Sequence, residues 1–363
     1  MKETQFMTQA DCRVSALADL TQLRNNFETI RQRIAPLDLI TIVKANAYGI
    51  GVHPVAETLK AAGSAGFGVS CWHEAQDLLR YDLPVQILGG IFPDELPHVV
   101  QNHVIAGITD WETAQEFSAE AVRQNRTLQC HFKLDTGMGR LGIRWEQAPE
   151  LIRRVVSLPN LDCCGIYAHF PKVSDDPFSL EQVRRFKQVL SDCAVSGISF
   201  KKIHMANTDA QLALEPARSA PFNMARVGLG LYRNVVSLKT KLVSARRMPA
   251  GHSIGYERTH ILEKDTLVGT IAAGYADGLP LALSNRGRVL YRGKSCPILG
   301  RISMDYTTIA LPPDTKWKKG DPVTLIGSDG NECITMEEWA DLKQTHVYDI
   351  LCSISPRVHR EYC

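Results

Sequence analysis

The sequence lacks most of the features that would direct it to a membrane, to nucleic acid or to an oxidising compartment. No apolar run approaches the ~18 residues that a bilayer-spanning helix requires. The opening segment MKETQFMTQADCRV lacks the apolar core of a signal peptide. There is no dense Lys/Arg block with interleaved aromatics, and the net charge is only +2, so nucleic acid is not an expected partner. The ten cysteines are scattered. The adjacent pair Cys163–Cys164 and the last residue, Cys363, match neither a disulfide framework nor a CxxC metal site. Free thiols in a reducing cytoplasm, with no bound metal, are the expectation. The chain also lacks a fixed-period repeat, a low-complexity tract and a GxGxxG turn, and the last absence weighs against a doubly wound dinucleotide fold.

What is present is an alternation. With 363 residues the chain exceeds the usual size of one hydrophobic core, so two domains are expected. Between residues 37 and 232, eight short apolar runs read as buried strands: LDLITIVKA, AGFGVS, PVQILGG, VIAGIT, LQCHFKLDTG, CCGIYAHF, FKKIHMAN and MARVGLGLY. Between most of them lie helix-like segments with apolar residues three and four apart, such as VHPVAETLKAAG, WHEAQDLLRY, WETAQEFSAEAVRQ and SLEQVRRFKQVLSDC. Asp110 stands as an acidic cap before the third of these. Eight such units in about 200 residues imply an α/β fold, a (β/α)₈ TIM-type barrel. Beyond about residue 237 the texture becomes β-rich and punctuated by Gly, Pro and Asp, with one helical stretch, TMEEWADLKQ. The expected organisation is a barrel over residues 1–237 and a mainly β C-terminal domain over 238–363.

Reactive side chains fall at the expected strand ends. Lys44 closes the first strand, Lys133 and Asp135 the fifth, His169 the sixth, and Asn207 and Thr208 the seventh, while Arg226 lies in the eighth. In a barrel of this kind the active site forms on that rim. Each residue also has an ordinary reading taken singly. Lys44 could be a lysine reaching from a strand end to solvent, KLDTGMGRLG a βα turn with left-handed glycines, and His169 a structural histidine. Taken together they fit a site. A desolvated Lys44 amine would attack an aldehyde, Arg140 would bind an anion bidentately, and the glycines after Arg226 would offer N–H groups to a phosphate. Together these suggest a phosphate-bearing cofactor with an aldehyde, namely pyridoxal 5′-phosphate.

The ordered set VKANAYG, KLDTGMGRLG, RVGLGLY, GYADG and GRISMD resembles the alanine racemases over about residues 12–360. The resemblance implies pyridoxal 5′-phosphate on Lys44 as a Schiff base, a homodimer with shared active sites, a small amino-acid substrate and two catalytic bases. It makes Lys44 one base and Tyr256, supplied across the interface, the other. Tyr48, Thr208, Gly228 and Leu229 match phosphate contacts, with Asn207 beside them. Arg226 matches the arginine at the pyridine nitrogen, and His169 the imidazole that hydrogen-bonds the catalytic tyrosine. Arg140 matches a contact to cofactor and substrate carboxylate, and Lys133 a lysine that is carbamylated in many members. Met304 and Asp305 fall on the substrate side, and Tyr275 at the entrance. Four positions depart from the family pattern: Ile50 stands for a histidine, Leu281 for an arginine, His359 for a proline and Pro356 for a tyrosine. These departures keep serine or a broader range of amino acids open beside alanine. A racemase or decarboxylase of the same plan and a non-catalytic cofactor carrier are the rival readings.

Overall fold

The computed structural model describes residues 12–173 and 177–363. Eight parallel strands make the barrel: Asp38–Ile42, Gly66–Val69, Val85–Ile87, Ala106–Ile108, Leu128–Asp135, Leu161–Tyr167, Lys202–His204 and Met224–Val227. All eight coincide with the expected runs. The eighth pairs with the first, Arg226 opposite Ile40. The ring closes between the third and fourth through the bridge Gln86–Ile105. Strands buried on both faces read as continuous apolar runs, which is why they were legible.

The helices follow the 3.6-residue pattern. Trp111–Arg123 begins where Asp110 accepts a hydrogen bond from Thr113 N–H at 2.7 Å, a cap of about 1 kcal/mol. The segment at 72–81 is not one helix: it breaks into Trp72–Gln76 and a short turn, Leu79–Tyr81. Four strand ends also differ from expectation. The first strand stops at Ile42, two residues before Lys44, the sixth stops at Tyr167, two residues before His169, the seventh stops at His204, before Asn207, and the eighth stops at Val227.

The second unit is built on an antiparallel ring. Val236–Met248 pairs with Thr266–Ile271 along one half and with Pro322–Asp329 along the other. Arg288–Tyr291, Lys294–Leu299 and Thr307–Leu311 complete the circuit. A strand long enough to serve two partners lets six strands close without an edge. The compact units are not continuous in sequence. The described residues up to Gln22 and the short stretch Tyr48–Gly51 belong with the β-rich unit, which otherwise runs from Asn234. Strand Val14–Ala18 lies in that unit's sheet between Val236–Met248 and the last strand, His359–Tyr362.

Candidate active site

Inside the barrel the strands deliver polar side chains to one another. Arg226 is buried and donates to His204 Nδ1 (2.5 Å), His204 O (3.1 Å), Ala168 O (2.5 Å) and Met205 O (3.3 Å). A guanidinium can only donate, so His204 Nδ1 must accept and its proton sits on Nε2. Nε2 lies 3.1 Å from His131 Nδ1, which accepts in turn and leaves the His131 proton on its own Nε2. Tyr167 stacks on His204 with ring centroids 5.1 Å apart and the planes 5° from parallel, and the Arg226 guanidinium lies 5.3 Å from the same ring centroid. Two glycines leave the space for this column. A side chain at Gly165 would collide with the His131 ring, and one at Gly107 would meet the Tyr167 hydroxyl at 2.8 Å. Burial, and then the Arg226 charge, keep His204 neutral well below the usual histidine range. His131 falls to about 3, first through burial and then through Lys202 and Arg226.

Lys133 adjoins this column, its Nζ 4.7 Å from the Tyr167 centroid. Burial, then the charges of Arg226 and Arg140, lower its pKa to about 7, with Asp135 acting the other way and Lys44 adding to the lowering. Burial followed by Arg226, Lys133, Arg140 and Lys44 lowers His169 to about 3. These mutual effects place Lys44, Lys133, Arg140, His169 and Arg226 in one electrostatic neighbourhood. His169 is therefore a neutral imidazole there.

The excess of positive charge is not cancelled locally. Asp135 is already committed: its Oδ1 accepts from the N–H groups of Gly137 (2.9 Å), Met138 (2.8 Å) and Gly139 (3.1 Å). That cap folds the loop that carries the exposed Arg140. Gly137, Gly139 and Gly142 all have positive φ, and a Cβ on Gly142 would meet Lys133 O at 2.8 Å. The ordinary reading of these glycines, as left-handed turn positions, is what the structure shows.

Lys44 differs from expectation. It is exposed, not buried in a strand, and it leads into a left-handed turn with φ of 52°, 54°, 52° and 57° at Ala45, Asn46, Ala47 and Tyr48. Further round the mouth, Thr208 Oγ1 accepts from Gly228 N–H (3.2 Å) and Gly230 N–H (3.4 Å). A Cβ on Gly230 would meet Thr208 Cγ2 at 2.9 Å, so the glycine keeps backbone and hydroxyl together. Asn207 Oδ1 accepts from Ala210 N–H at 2.9 Å, and Leu229 opens the turn Leu229–Tyr232.

The remaining site residues lie in the β-rich unit. Tyr256 is exposed on a turn between the paired segments Ser253–Ile254 and His260–Ile261. Arg301 Nη1 bonds Glu257 Oε1 beside it at 2.6 Å. Tyr275 and the Met304–Asp305 loop are joined: Tyr275 N–H donates to Ser303 O (3.0 Å) and Ala276 N–H to Met304 O (3.1 Å). Gly274 allows this approach, since any Cβ there would overlap Ser303 O and Met304 O. Arg357 clamps both loops, reaching Asp277 at 2.7 and 2.9 Å and Asp305 at 2.9 Å. Tyr48 is buried, with its ring 5.6 Å from that of Tyr348.

Comparison with known proteins decides the family. Residues 18–234 match "Alanine racemase, N-terminal domain", and residues 235–362 match "Alanine racemase, C-terminal domain". The chain belongs to the alanine racemase family. It is 34% identical to the alanine racemase of Carboxydothermus hydrogenoformans, over 96% of this chain and 99% of that protein. Its fold resembles that of the alanine racemase from D-cycloserine-producing Streptomyces lavendulae, with a TM-score of 0.91, 28% identity and 97% of each chain covered. It also resembles the Bartonella henselae alanine racemase with covalently bound pyridoxal phosphate, with a TM-score of 0.88, 27% identity, and 97% of this chain and 100% of that one covered.

Sequence reasoning passed over His131, Tyr167, His204, Asp277 and Arg357. The two-residue period of a strand held part of the signal: His131 with Lys133, and Gly165 with Tyr167, share a face. Asp277 and Arg357 carry no such signal, since they meet across 80 residues of chain.

Proposed function

We propose that this chain interconverts L- and D-alanine with pyridoxal 5′-phosphate, using two bases. The cationic barrel mouth carries the reading. Lys44, Lys133, Arg140 and Arg226 sit around His169, and the nearby Asp135 is consumed by its own loop. Such a site calls for an anionic occupant, and a phosphate and a carboxylate both qualify. The donor set fits the cofactor: Thr208 with the Gly228–Gly230 backbone and Tyr48 would hold its phosphate, with Leu229 and Asn207 alongside, and Arg226 would face its pyridine nitrogen. When bound, the cofactor withdraws electrons from the substrate α-carbon and so acidifies its C–H.

The chain's own groups supply the rest. Arg140 binds and orients the substrate carboxylate. Lys44 Nζ takes the α-proton on one face, and the hydroxyl of the partner subunit's Tyr256 delivers one on the other. Each base serves one enantiomer in the reverse sense, as microscopic reversibility demands. Arg226 stays a donor, because its four hydrogen bonds go to neutral acceptors. It therefore cannot pass a proton to the ring nitrogen readily. A buried Lys133 with a pKa near 7 presents a free amine that can add carbon dioxide: the N–C bond forms, the nitrogen loses a proton, and the resulting anion lies among Arg140 and Arg226.

The homodimer and its shared sites belong to the same proposal. Tyr256, Tyr275 and Met304 are exposed on the β-rich unit, which favours a protein partner over solvent. No described helix is long and apolar enough to cross a membrane. Residence in a reducing cytoplasm is part of the proposal, supported by cysteines that form no disulfide among the described residues. Met304, Asp305 and Tyr275, held by Arg357, would form the substrate entrance.

The test is direct. The purified protein should absorb in the visible, exchange the α-proton of L-alanine in deuterium oxide and yield D-alanine, and borohydride should link the cofactor to Lys44. Colour without α-proton exchange would leave only a carrier. Comparing kcat/KM for alanine and serine examines the pocket at Pro356, because a hydrophobic pocket rejects an added hydroxyl by only ~10²-fold.

A further inference from the structure

Lys44 is aimed by a costly piece of backbone. Four consecutive non-glycine residues, Ala45 to Tyr48, have positive φ. Each such residue is disfavoured against the right-handed alternative. A turn of this kind persists only where its surroundings over-determine it. Two of the restraints are local: Ala47 N–H donates to Val43 O at 2.8 Å, and Asn46 Oδ1 accepts from Val52 N–H at 2.8 Å. A third comes from the next βα unit. Ala45 N–H donates to Glu74 Oε1 at 2.6 Å, while Glu74 Oε2 accepts from Ser70 N–H (2.8 Å) and Ser70 Oγ (2.9 Å).

We propose that Glu74 is a positioning residue for Lys44, its carboxylate fixing the peptide that follows the lysine and thereby the direction of the amine. The chemistry of the side chain supports this. Three donors converge on two oxygens, an arrangement that needs an acceptor-only group. Charge-assisted bonds of this type are about twice as strong as neutral ones. Ser70 directly follows the second barrel strand and Glu74 lies in the helix that comes next, so the bridge ties the first βα loop to the second at the mouth of the barrel. A glutamine in its place keeps one acceptor and turns an NH₂ group toward donors. An alanine keeps neither.

The proposal rests on the racemase reading, and one set of measurements separates the two. Cofactor-loaded wild type, Glu74→Ala, Glu74→Gln and Ser70→Ala are compared. The readouts are kcat and KM for L-alanine, the pH titration of the visible band, the fraction of Lys44 linked to cofactor by borohydride, and amide exchange in the peptide 44–52. Misplacement of a reacting group by about 1 Å costs roughly 10²-fold. Glu74→Ala should therefore lower kcat by about 10–100-fold with KM little changed. It should also shift the titration of the band and speed exchange in 44–52 while exchange elsewhere stays at the wild-type rate. Glu74→Gln should fall between Glu74→Ala and wild type, and Ser70→Ala close to wild type. Should Glu74→Ala fail to fold, Glu74→Gln carries the test. Wild-type titration, exchange and kcat in Glu74→Gln and Glu74→Ala overturn the proposal, as does a loss of activity that merely follows global exchange. Wild type without borohydride labelling at Lys44 overturns the racemase reading, and the proposal with it.

Discussion

Arg226 in the barrel and Arg357 in the β-rich unit each donate four hydrogen bonds, but to different kinds of partner. Arg226 is 4% exposed and gives all four to a histidine and backbone carbonyls. The Arg357 side chain is 44% exposed and holds two carboxylates, Asp277 and Asp305, along with Met304 O. The second arrangement is electrically closed and works as a clamp between two loops. The first leaves a buried positive charge that no side chain neutralises among the described residues. A folded chain tolerates that where neutral acceptors solvate the cation and where an anionic ligand is to arrive. The contrast thus separates a buried charge left open to a ligand from a clamp that holds a surface in shape.

Four experiments would break or sharpen that contrast. The largest effect tests whether the β-rich unit supplies chemistry as well as shape. Lys44→Ala and Tyr256→Phe should each lower racemisation by about 10²–10⁴-fold, measured by D-alanine formation. Inactive subunits of Lys44→Ala and Tyr256→Ala should regain activity when mixed as verified hybrids. Absence of recovery would put both bases in one chain.

The next concerns stability. Arg226→Met strands His204 Nδ1 and takes a donor from three carbonyls in a dry interior, and each group left unpaired costs about 1–3 kcal/mol. Arg357→Met removes an exposed network, worth about 1 kcal/mol or less per pair. Denaturant midpoints should therefore drop markedly for Arg226→Met and slightly for Arg357→Met. Equal drops would erase the distinction drawn between the two arginines.

A third experiment uses pH. Lys133 titrates near 7 in the fold but near the ordinary lysine value of about 10.4 when unfolded. Between these values the unfolded chain binds more protons, so the stability of the cofactor-free protein should rise as pH climbs from about 7 to about 10. The gain is absent below the folded pKa, where both states are protonated. Lys133→Met should flatten that rise, as read from Tm at successive pH values. A bound carbamate in the wild type would flatten it also, and acid treatment to release carbon dioxide would restore it.

The smallest effect is at the entrance. With Arg357→Met, Asp277 and Asp305 lose their shared cation, which frees both loops and leaves two carboxylates uncompensated. KM for L-alanine should rise by about 3–10-fold, with kcat nearly unchanged. A fall in kcat with constant KM would move Arg357 from the entrance to the chemistry.

The four departures from the family pattern show how far the sequence reaches. Ile50 is 3% exposed, and its carbonyl accepts from the Tyr362 hydroxyl at 2.9 Å. At that place an apolar side chain fits a dry environment, which the sequence did not announce. Leu281 is exposed, and the His359 imidazole lies 3.9 Å from Glu361. Lys44 itself was legible as a chemical group, but its exposure and the left-handed turn after it were not. Local propensity disfavours positive φ at alanine, and the restraints from Val43, Asn46 and Glu74 oppose that preference.

The sequence by itself determined the order of strands and helices in the barrel, because a hydrophobic period is a local property that survives without neighbours. It determined the identities of the rim residues for the same reason, since they follow the strands at short range. The tertiary structure alone decided the partnerships: His131 with His204 and Arg226, Arg357 with two carboxylates, and the first strand with the last. These contacts join residues far apart in the chain, and their energies come from desolvation and hydrogen-bond geometry that exist only once the barrel and the β ring have closed. They turn a scattering of lysines, arginines and histidines into one neutral relay and one cationic mouth.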